Sequence, residues 1–309
     1  MPVPIASLVE FLLRPRARHA NDVSTAEALN WRRFSADLPP GLELQWLGTA
    51  GFRIGYEGFQ LLIDPYLTRP GAAQVYTGQT LGSDPELVLR QVPSADAVLV
   101  GHTHFDHALD VPLIARSRGA RVYGSGSLRQ LMAIHGIVER MVEVEPGRTY
   151  PLGPFEVCFV ESVHSKLLLG LKVPAEGELT CDHLDQLNGG RFRCGQVYGI
   201  HIAVAGVSFY HQGSANLIDD RIQHRGIDYF LMGIAGRGFT RDYTARILRR
   251  LEPRVIVPQH FDDFHRPLGA EMGFSLNVNL GGFVEEVARV SGDFAIRALE
   301  PLQTVGEPA

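Results

Sequence analysis

The sequence is poor in cysteine, since its 309 residues include only Cys158, Cys181 and Cys194. This small, odd number excludes a disulfide scaffold, and a chain of this length can bury a stable core without such links. Cys181 and Cys194 flank "HLDQLNGGRFR", in which the Asn188-Gly189 pair predicts a β-hairpin. Two reduced thiols are expected there, and a disulfide or a metal clip across the hairpin is the alternative.

The sequence also lacks an excess of positive charge. Its 29 Lys and Arg residues are outnumbered by 34 Asp and Glu residues, for a net charge of −5. A nucleic-acid-binding protein usually presents a basic face, so no nucleic-acid partner is expected.

Long apolar runs are absent as well, and none reaches the roughly 18 residues that a transmembrane segment needs. The first 20 residues, "MPVPIASLVEFLLRPRARHA", place apolar residues before basic ones, which reverses the order of a secretory signal. We therefore expect a short amphipathic helix that packs on the body of the protein, and a cytoplasmic location. Binding of this helix to a membrane surface is the alternative.

The remaining sequence predicts an arm and one main domain. Residues 1–41 form the arm, which ends at the Pro-Pro-Gly of "DLPPG", and residues 42–309 form the domain. Two groups of β-patterned segments, the first beginning with "LELQWLG" and the second with "FEVCFVESVHS", are each followed by helical segments. This order predicts an α/β fold in which two sheets pack face to face with helices outside.

Histidine and aspartate are concentrated in "AVLVGHTHFDHALDVP", directly behind a buried strand. His102 and His104 are two residues apart on an extended segment, so their side chains point the same way. Asp106 and His107 follow at the turn into the next helix. Imidazole and carboxylate groups are metal ligands, and the array therefore predicts a metal site at the end of this strand.

The segment "HTHFDH" resembles the H-x-H-x-D-H signature of the metallo-β-lactamase superfamily. Three further features occur in the order that this resemblance implies: Asp64 ends "LLID", His164 follows "FVESV", and His260 follows "VIVPQ". The segments "LQWLGTAGFRI" and "DYFLMGIAG" also resemble the branch with the ascorbate-6-phosphate lactonases and the N-acyl-phosphatidylethanolamine phospholipase D. The resemblance covers about residues 42–298 and implies a four-layer αββα sandwich.

The resemblance implies two metal sites, each with three ligands. The first would use His102, His104 and His164, and the second Asp106, His107 and His260. Asp64 matches an aspartate that orients a ligand histidine, and a turn-forming Asp-Pro is the alternative. Zinc is the leading metal because the ligands are rich in histidine, although manganese and iron also suit His/Asp sites, and one or two ions are expected.

The sequence departs from the family pattern after "VSFYHQG". The family usually has a Gly-Asp whose carboxylate bridges the two metals, but here Ser214 follows Gly213. Loss of that charge increases the repulsion between two ions, so we expect a filled first site and a weakened second one. Alternatively, Ser214 binds through a water, His211, Asp219 or Asp220 replaces the aspartate, or an anionic substrate completes the charge balance. His211 could face either the site or the core.

By resemblance the protein is a hydrolase in which metal-bound hydroxide attacks a lactone, an ester or a phosphodiester. Asp106 would orient the nucleophile and help to move a proton, with Asp64 supporting the site. Tyr66, Arg237 and His265 are the candidates for substrate contact, Arg237 because it could bind an anion bidentately. The expected partner is a small molecule, and one that carries an anionic group would fit the charge balance of the site. The sequence also leaves open whether the chain forms a homo-oligomer.

The sequence leaves three alternative functions. A family member that binds metal or a ligand without turnover is compatible with Ser214, and activity in the metal-loaded protein would exclude it. A nuclease is disfavoured by the acidic balance and by the lack of room for an inserted domain. A di-iron redox protein is disfavoured because no flavin-binding module is appended.

Overall fold

The computed structural model describes residues 15–35, 37–167, 170–276 and 278–307. Within these residues the chain forms two mixed β-sheets of seven strands each. The first sheet has the order β14-β1-β2-β3-β4-β5-β6. Its strands are β1 (Glu43–Gly48), β2 (Gly51–Tyr56), β3 (Phe59–Ile63), β4 (Ala97–Leu99), β5 (Arg121–Gly124), β6 (Met141–Glu143) and β14 (Thr304–Val305).

The second sheet has the order β13-β12-β11-β10-β9-β8-β7. Its strands are β7 (Thr149–Leu152), β8 (Phe155–Ser162), β9 (Val197–Val204), β10 (Val207–Gln212), β11 (Tyr229–Gly233), β12 (Val255–Gln259) and β13 (Ala295–Ile296). Each sheet joins an antiparallel part to a parallel part, which runs from β3 to β6 in the first sheet and from β10 to β13 in the second.

Helices cover the outer face of both sheets. They are α1 (Pro15–Leu29), α2 (Ala72–Tyr76), α3 (Pro85–Gln91), α4 (Phe105–Ala108), α5 (Val111–Arg118), α6 (Gly126–Ile134), α7 (Tyr243–Leu251) and α8 (Leu280–Val290). Short 3₁₀ turns occur at Trp31–Arg33, Val138–Arg140, Leu184–Gln186, Asp219–Arg221 and Arg237–Phe239.

Strand β3 shows why the central strands are apolar throughout. Leu61 and Ile63 pack in the core between the sheets, whereas Leu62 points to the opposite face, under the helices. Helices α3, α5 and α6 cover the first sheet, and α7 and α8 contribute apolar side chains to the core of the second. The predicted four-layer αββα sandwich is confirmed.

The described part of the N-terminal arm packs on the domain. The Asp22 carboxylate accepts a hydrogen bond from the Leu280 amide at the start of α8, and Trp31 is buried in the core. The helix predicted over the first 20 residues falls mostly on residues 1–14, outside the described residues. The boundary at residue 41 stays a prediction. Among the described residues no helix is long and apolar enough to cross a membrane.

The hairpin predicted around Asn188 is wrong. The Asn188 side-chain oxygen accepts hydrogen bonds from the Gly190 and Arg191 amides, and its backbone pairs with Thr80. Leu187 is buried under the helices of the first sheet, so contacts with that layer replace pairing across the turn. The three cysteines are buried free thiols.

Candidate metal centre

The candidate donor side chains lie in segments that follow three different strands, and Asp64, which contacts one of them, follows a fourth. Asp64 follows β3, the histidine-rich segment follows β4, His164 follows β8 and His260 follows β12. His102 and His104 share a side because the backbone between them is extended, while Thr103 faces away and donates its hydroxyl hydrogen to the Cys194 carbonyl. This local geometry gives one edge of the sandwich a cluster of buried imidazoles.

The first cluster contains His102, His104 and His164. One ligand atom from each residue lies within 4.8 Å of the other two. His102 Nε2 and His104 Nδ1 are 3.1 Å apart, and the His104 and His164 ring centroids are 4.7 Å apart. Three imidazoles this close provide a ligand set typical of zinc.

Hydrogen bonds fix the tautomers in this first cluster. His104 Nε2 lies 2.8 Å from the Pro174 carbonyl and His164 Nδ1 lies 2.7 Å from the Ser165 carbonyl. Because a carbonyl only accepts, both of these nitrogens carry the hydrogen, and His104 Nδ1 and His164 Nε2 keep their lone pairs.

The same two histidines are held in the neutral form. Burial lowers the pKa of His104 to about 4 and that of His164 to about 3. Metal binding needs neutral imidazoles, so the donors fit a divalent ion.

The second cluster contains Asp106, His107 and His260, whose ligand atoms again lie within 4.8 Å of one another. It adjoins the first, since the ring centroids of His102 and His107 are 3.8 Å apart. His260 Nε2 is 3.2 Å from the nearer Asp106 oxygen. Burial raises the pKa of Asp106, but the neighbouring histidines outweigh it and the pKa falls well below its usual range. Asp106 is therefore an anion.

Asp64 orients a donor of this second cluster. It is fully buried, accepts the Gly101 amide at 2.7 Å, and holds His107 Nδ1 at 2.8 Å with its other oxygen. His107 Nε2 is thereby directed at Asp106, 3.9 Å away. By contrast, His260 Nδ1 is buried and has no hydrogen-bond partner among the residues that the structure describes.

Ser214 is engaged with the chain next to His164. Its hydroxyl oxygen accepts the Ser165 amide at 3.0 Å, and the Asn216 side chain donates to the His164 carbonyl at 3.2 Å. A Cβ placed on Gly213 would lie 3.2 Å from the His107 ring. The Gly213–Ser214 segment therefore lies between the two clusters, where it supports a ligand loop with a neutral oxygen.

The structure places the three candidate substitutes for the missing carboxylate elsewhere. Asp219 pairs with Arg246 and Arg250 on α7, and Asp220 is exposed beside Arg250. His211 is fully buried, with Nε2 2.8 Å from the Ala50 carbonyl and 4.0 Å from Asp64. It lies behind Asp64 and on the core side, which resolves the orientation that the sequence left open.

Two of the three substrate-contact candidates are used inside the fold. Tyr66 is fully buried, and its hydroxyl donates to the Phe264 carbonyl at 3.2 Å. The Arg237 guanidinium pairs with Glu286 and donates to the Val278 and Asn279 carbonyls, so it is not free to bind an anion as predicted.

His265 is the candidate that stays accessible. It is half-buried in the loop after β12, beside Phe264 and Tyr76.

Sequence reasoning missed the buried polar residues that hold the surrounding loops. Arg69 and Asp262 form a buried ion pair at 2.6 Å, and Asp262 also accepts the Thr49 amide. Asp110 accepts the amides of Leu67 and Thr68. Asp262 follows His260 by two residues, and Asp110 precedes a helix that starts with Val-Pro. These two positions are the sequence features from which a role in holding the loops could have been predicted.

The fold and the paired His/Asp clusters are those of a metallo-hydrolase. The chain belongs to the β-lactamase superfamily, because the profile of the β-lactamase superfamily domain matches residues 43–260. This confirms the resemblance to the metallo-β-lactamase superfamily. A UPF0173 metal-dependent hydrolase of Cupriavidus taiwanensis is 31% identical over 236 residues, which cover 71% of this chain and 74% of the relative.

Two solved structures share the fold. The metallo hydrolase Igni18 of Ignicoccus hospitalis matches with a TM-score of 0.56 at 20% identity, over 85% of this chain and 97% of that chain. CmlA, a diiron β-hydroxylase from Streptomyces venezuelae, matches with a TM-score of 0.55 at 18% identity, over 87% of this chain and 55% of that one. The class of the chain is metal-dependent hydrolase.

Proposed function

We propose that this enzyme hydrolyses a small molecule with a lactone, ester or phosphodiester bond, at an ion held by His102, His104 and His164. The observation that carries the proposal is the convergence of neutral imidazole lone pairs next to an anionic Asp106. When bound, a divalent ion supplies Lewis acidity and lowers the pKa of water. A cytoplasmic location, expected from the sequence, is part of the same proposal.

The chain itself contributes orientation and a negative charge. Asp106 keeps its negative charge because His107 and His260 adjoin it, so it can accept a hydrogen bond from an attacking water and orient that water. Asp64 fixes the ring of His107, and the Pro174 and Ser165 carbonyls fix two further imidazoles. Such partners keep donor geometry constant while substrate binds.

The proposed ion is zinc, and the first cluster is proposed to bind it more tightly than the second. Three neutral imidazoles favour zinc. Iron stays an alternative because the fold neighbour CmlA is described as a diiron β-hydroxylase, and manganese stays an alternative because Asp106 supplies a carboxylate. In the second cluster burial lowers the pKa of His107, but Asp64 and Asp106 together raise it above the usual value. An ion at the second cluster must displace that proton from His107, which weakens its binding. Asp106 is also the single carboxylate in the two clusters, so it alone supplies negative charge to them.

The test combines metal analysis with turnover. We expect purified protein to carry about one zinc per chain, and zinc-loaded protein to hydrolyse at least one member of a panel of lactones, carboxylic esters and phosphodiesters. His102→Ala should lose both the ion and the turnover, while His135→Ala, which changes a histidine outside both clusters, should keep both. Turnover that survives in metal-free His102→Ala would refute the proposal.

A binding protein without turnover is the second candidate. Ser214 favours it, because its hydroxyl is occupied by the Ser165 amide and adds no charge between the clusters. Full zinc occupancy without turnover on any ester class in the panel would support this candidate over the hydrolase.

A further inference from the structure

Four aromatic side chains border the second cluster, and we call them the aromatic wall: Phe105, Phe264, His265 and Tyr76. Phe105 directly precedes Asp106, and the Phe264 ring meets the His260 ring edge-on with centroids 5.6 Å apart. Phe105 and Phe264 have their centroids 6.3 Å apart. The wall therefore begins at two donors of the candidate metal centre and extends away from them.

Hydrogen bonds hold the outer part of the wall in place. His265 Nδ1 lies 3.1 Å from the Pro70 carbonyl and therefore carries the hydrogen, which leaves Nε2 to accept from the Tyr76 hydroxyl at 3.3 Å. The His265 ring stacks on Phe105 at an interplanar angle of 23°. The rings come from the start of α4, the loop after β12 and the end of α2, so three separate segments are fixed into one surface.

This surface is accessible although it is aromatic. Tyr76 is 73% exposed, and Phe105, Phe264 and His265 are half-buried. Exposed aromatic surface next to a metal centre is typical of a ligand site, in which apolar walls bind the body of the ligand and polar groups orient its reacting end.

We propose that the aromatic wall binds an aromatic ring of the substrate, with the scissile bond at the adjacent metal centre. This inference rests on the proposed function for the position of the scissile bond. Rings bind rings in stacked or edge-to-face geometry more favourably than they bind saturated groups of equal size. An anionic group is disfavoured on the wall, because the Asp263 carboxylate holds the His265 amide and Asp106 adjoins Phe105.

The test uses two probes that differ only in their ring. Phenylacetate and cyclohexylacetate carry the same charge and a carboxylate that can face a bound ion, but only phenylacetate is planar and aromatic. Ligand-observed NMR titration of the zinc-loaded chain should give about 2- to 10-fold tighter binding of phenylacetate. In Phe264→Leu and Tyr76→Leu this ratio should fall towards one.

Phe34→Leu is the matched control, because Phe34 is a partly exposed ring that packs against Arg297 instead of the wall. It should keep the wild-type ratio. Equal binding of the two acids to the wild type, absence of binding by both, or an unchanged ratio in both wall variants would overturn the proposal. Because Tyr76 is a surface residue, Tyr76→Leu gives a folded variant even where Phe264→Leu lowers stability.

Turnover separates this inference from the function on which it rests. Benzyl acetate and cyclohexylmethyl acetate have leaving alcohols of similar acidity, so a benzyl preference in kcat/KM that Tyr76→Leu removes would support the wall. A preference for phenylacetate in binding, with no member of the lactone, carboxylic ester and phosphodiester panel hydrolysed, would refute the hydrolase and keep the ring site. Hydrolysis without any preference for the aromatic member would refute the ring site alone.

Discussion

Asp64 makes two hydrogen bonds that require a carboxylate. One oxygen accepts the Gly101 amide, and the other accepts the hydrogen on His107 Nδ1. Asp64 also has a positive φ of 42°, which is uncommon for a residue other than glycine, and so does His260 with a φ of 61°. Uncommon backbone at two positions of one site is typical of functional geometry that the surrounding structure holds in place.

Asp64→Asn should therefore weaken the second ion more than the first. The amide nitrogen of the new Asn side chain would donate a hydrogen bond to His107 Nδ1. The ring hydrogen of His107 would then move to Nε2 and occupy the lone pair with which the second ion should bind. Loss of such a partner typically costs about 10- to 100-fold in affinity. Competitive zinc titration measures this, and Asp96→Asn is the control because Asp96 accepts the Gln60 amide at an exposed position. Unchanged affinity for both ions would mean that Asp64 only forms a turn.

Ser214→Asp should tighten binding of the second ion. Ser214 lies between the clusters, and a carboxylate there would reduce the repulsion between two divalent ions. Ser214→Asn is the matched control, since it has nearly the same size without the charge. Calorimetric titration should show a tighter second binding step in the Asp variant alone.

Turnover by Ser214→Asp carries separate information. If the natural substrate supplies its own anion to this position, the added carboxylate would exclude it, and activity would fall while metal content rose. If the wild type already binds two ions tightly and the Asp variant does not differ, the hypothesis of a weakened second site is wrong.

At the scale of elements, two loops are joined by a buried ion pair. Arg69 lies in the segment after β3, and Asp262 follows β12. The Arg69 guanidinium also donates to the Asp263 and Arg266 carbonyls, while Asp262 accepts the Thr49 amide. These contacts bring the segment that starts at Asp64 against the segment that starts at His260.

Arg69→Met should destabilise the protein strongly, because it leaves the Asp262 carboxylate buried without its partner. Breaking a buried pair in this way costs about 3–5 kcal/mol. Urea denaturation measures the loss. The control is Arg90→Met, which breaks an exposed pair with Glu86 on one helix and should change stability by about 0.5 kcal/mol or less. Similar losses in both variants would contradict the importance of the loop contact.

The candidate donor residues could be located from the sequence because their signature is local: "HTHFDH" supplies four of them from one strand end. The partners that set the tautomers could not. Pro174 and Ser165 act through their carbonyls, which any residue possesses, and only the path of the loop brings them to the rings. Arg237 failed as an anion-binding candidate for a similar reason, since distant carbonyls and Glu286 occupy its guanidinium.

At the scale of the whole molecule, partly buried histidines outside the candidate metal centre couple stability to pH. Burial lowers the pKa of His135 and His201 to about 4 and also lowers that of His224, which stacks on His201. In the unfolded chain these groups titrate near pH 6.5. The unfolded state therefore binds more protons between about pH 6.5 and pH 4, so stability is full above that window and falls as the pH falls through it.

The urea midpoint of the chelator-treated protein should accordingly decrease between pH 7 and pH 4.5. His201→Gln should flatten this decrease, because it removes one group that binds a proton only after unfolding, whereas His183→Gln, which changes an exposed histidine, should not. A midpoint that stays constant over this range would contradict the lowered pKa values.

The candidate metal centre draws its proposed donors from both sheets. Four of them follow β4 of the first sheet, while His164 follows β8 and His260 follows β12 of the second. A bound ion is then a non-covalent cross-link between the two halves of the sandwich at their open edge. Removing it frees the sheets to separate there first, so hydrogen exchange after chelation should rise in the segments around residues 102–107, 164–167 and 260–262 while the middle of the sheets stays protected.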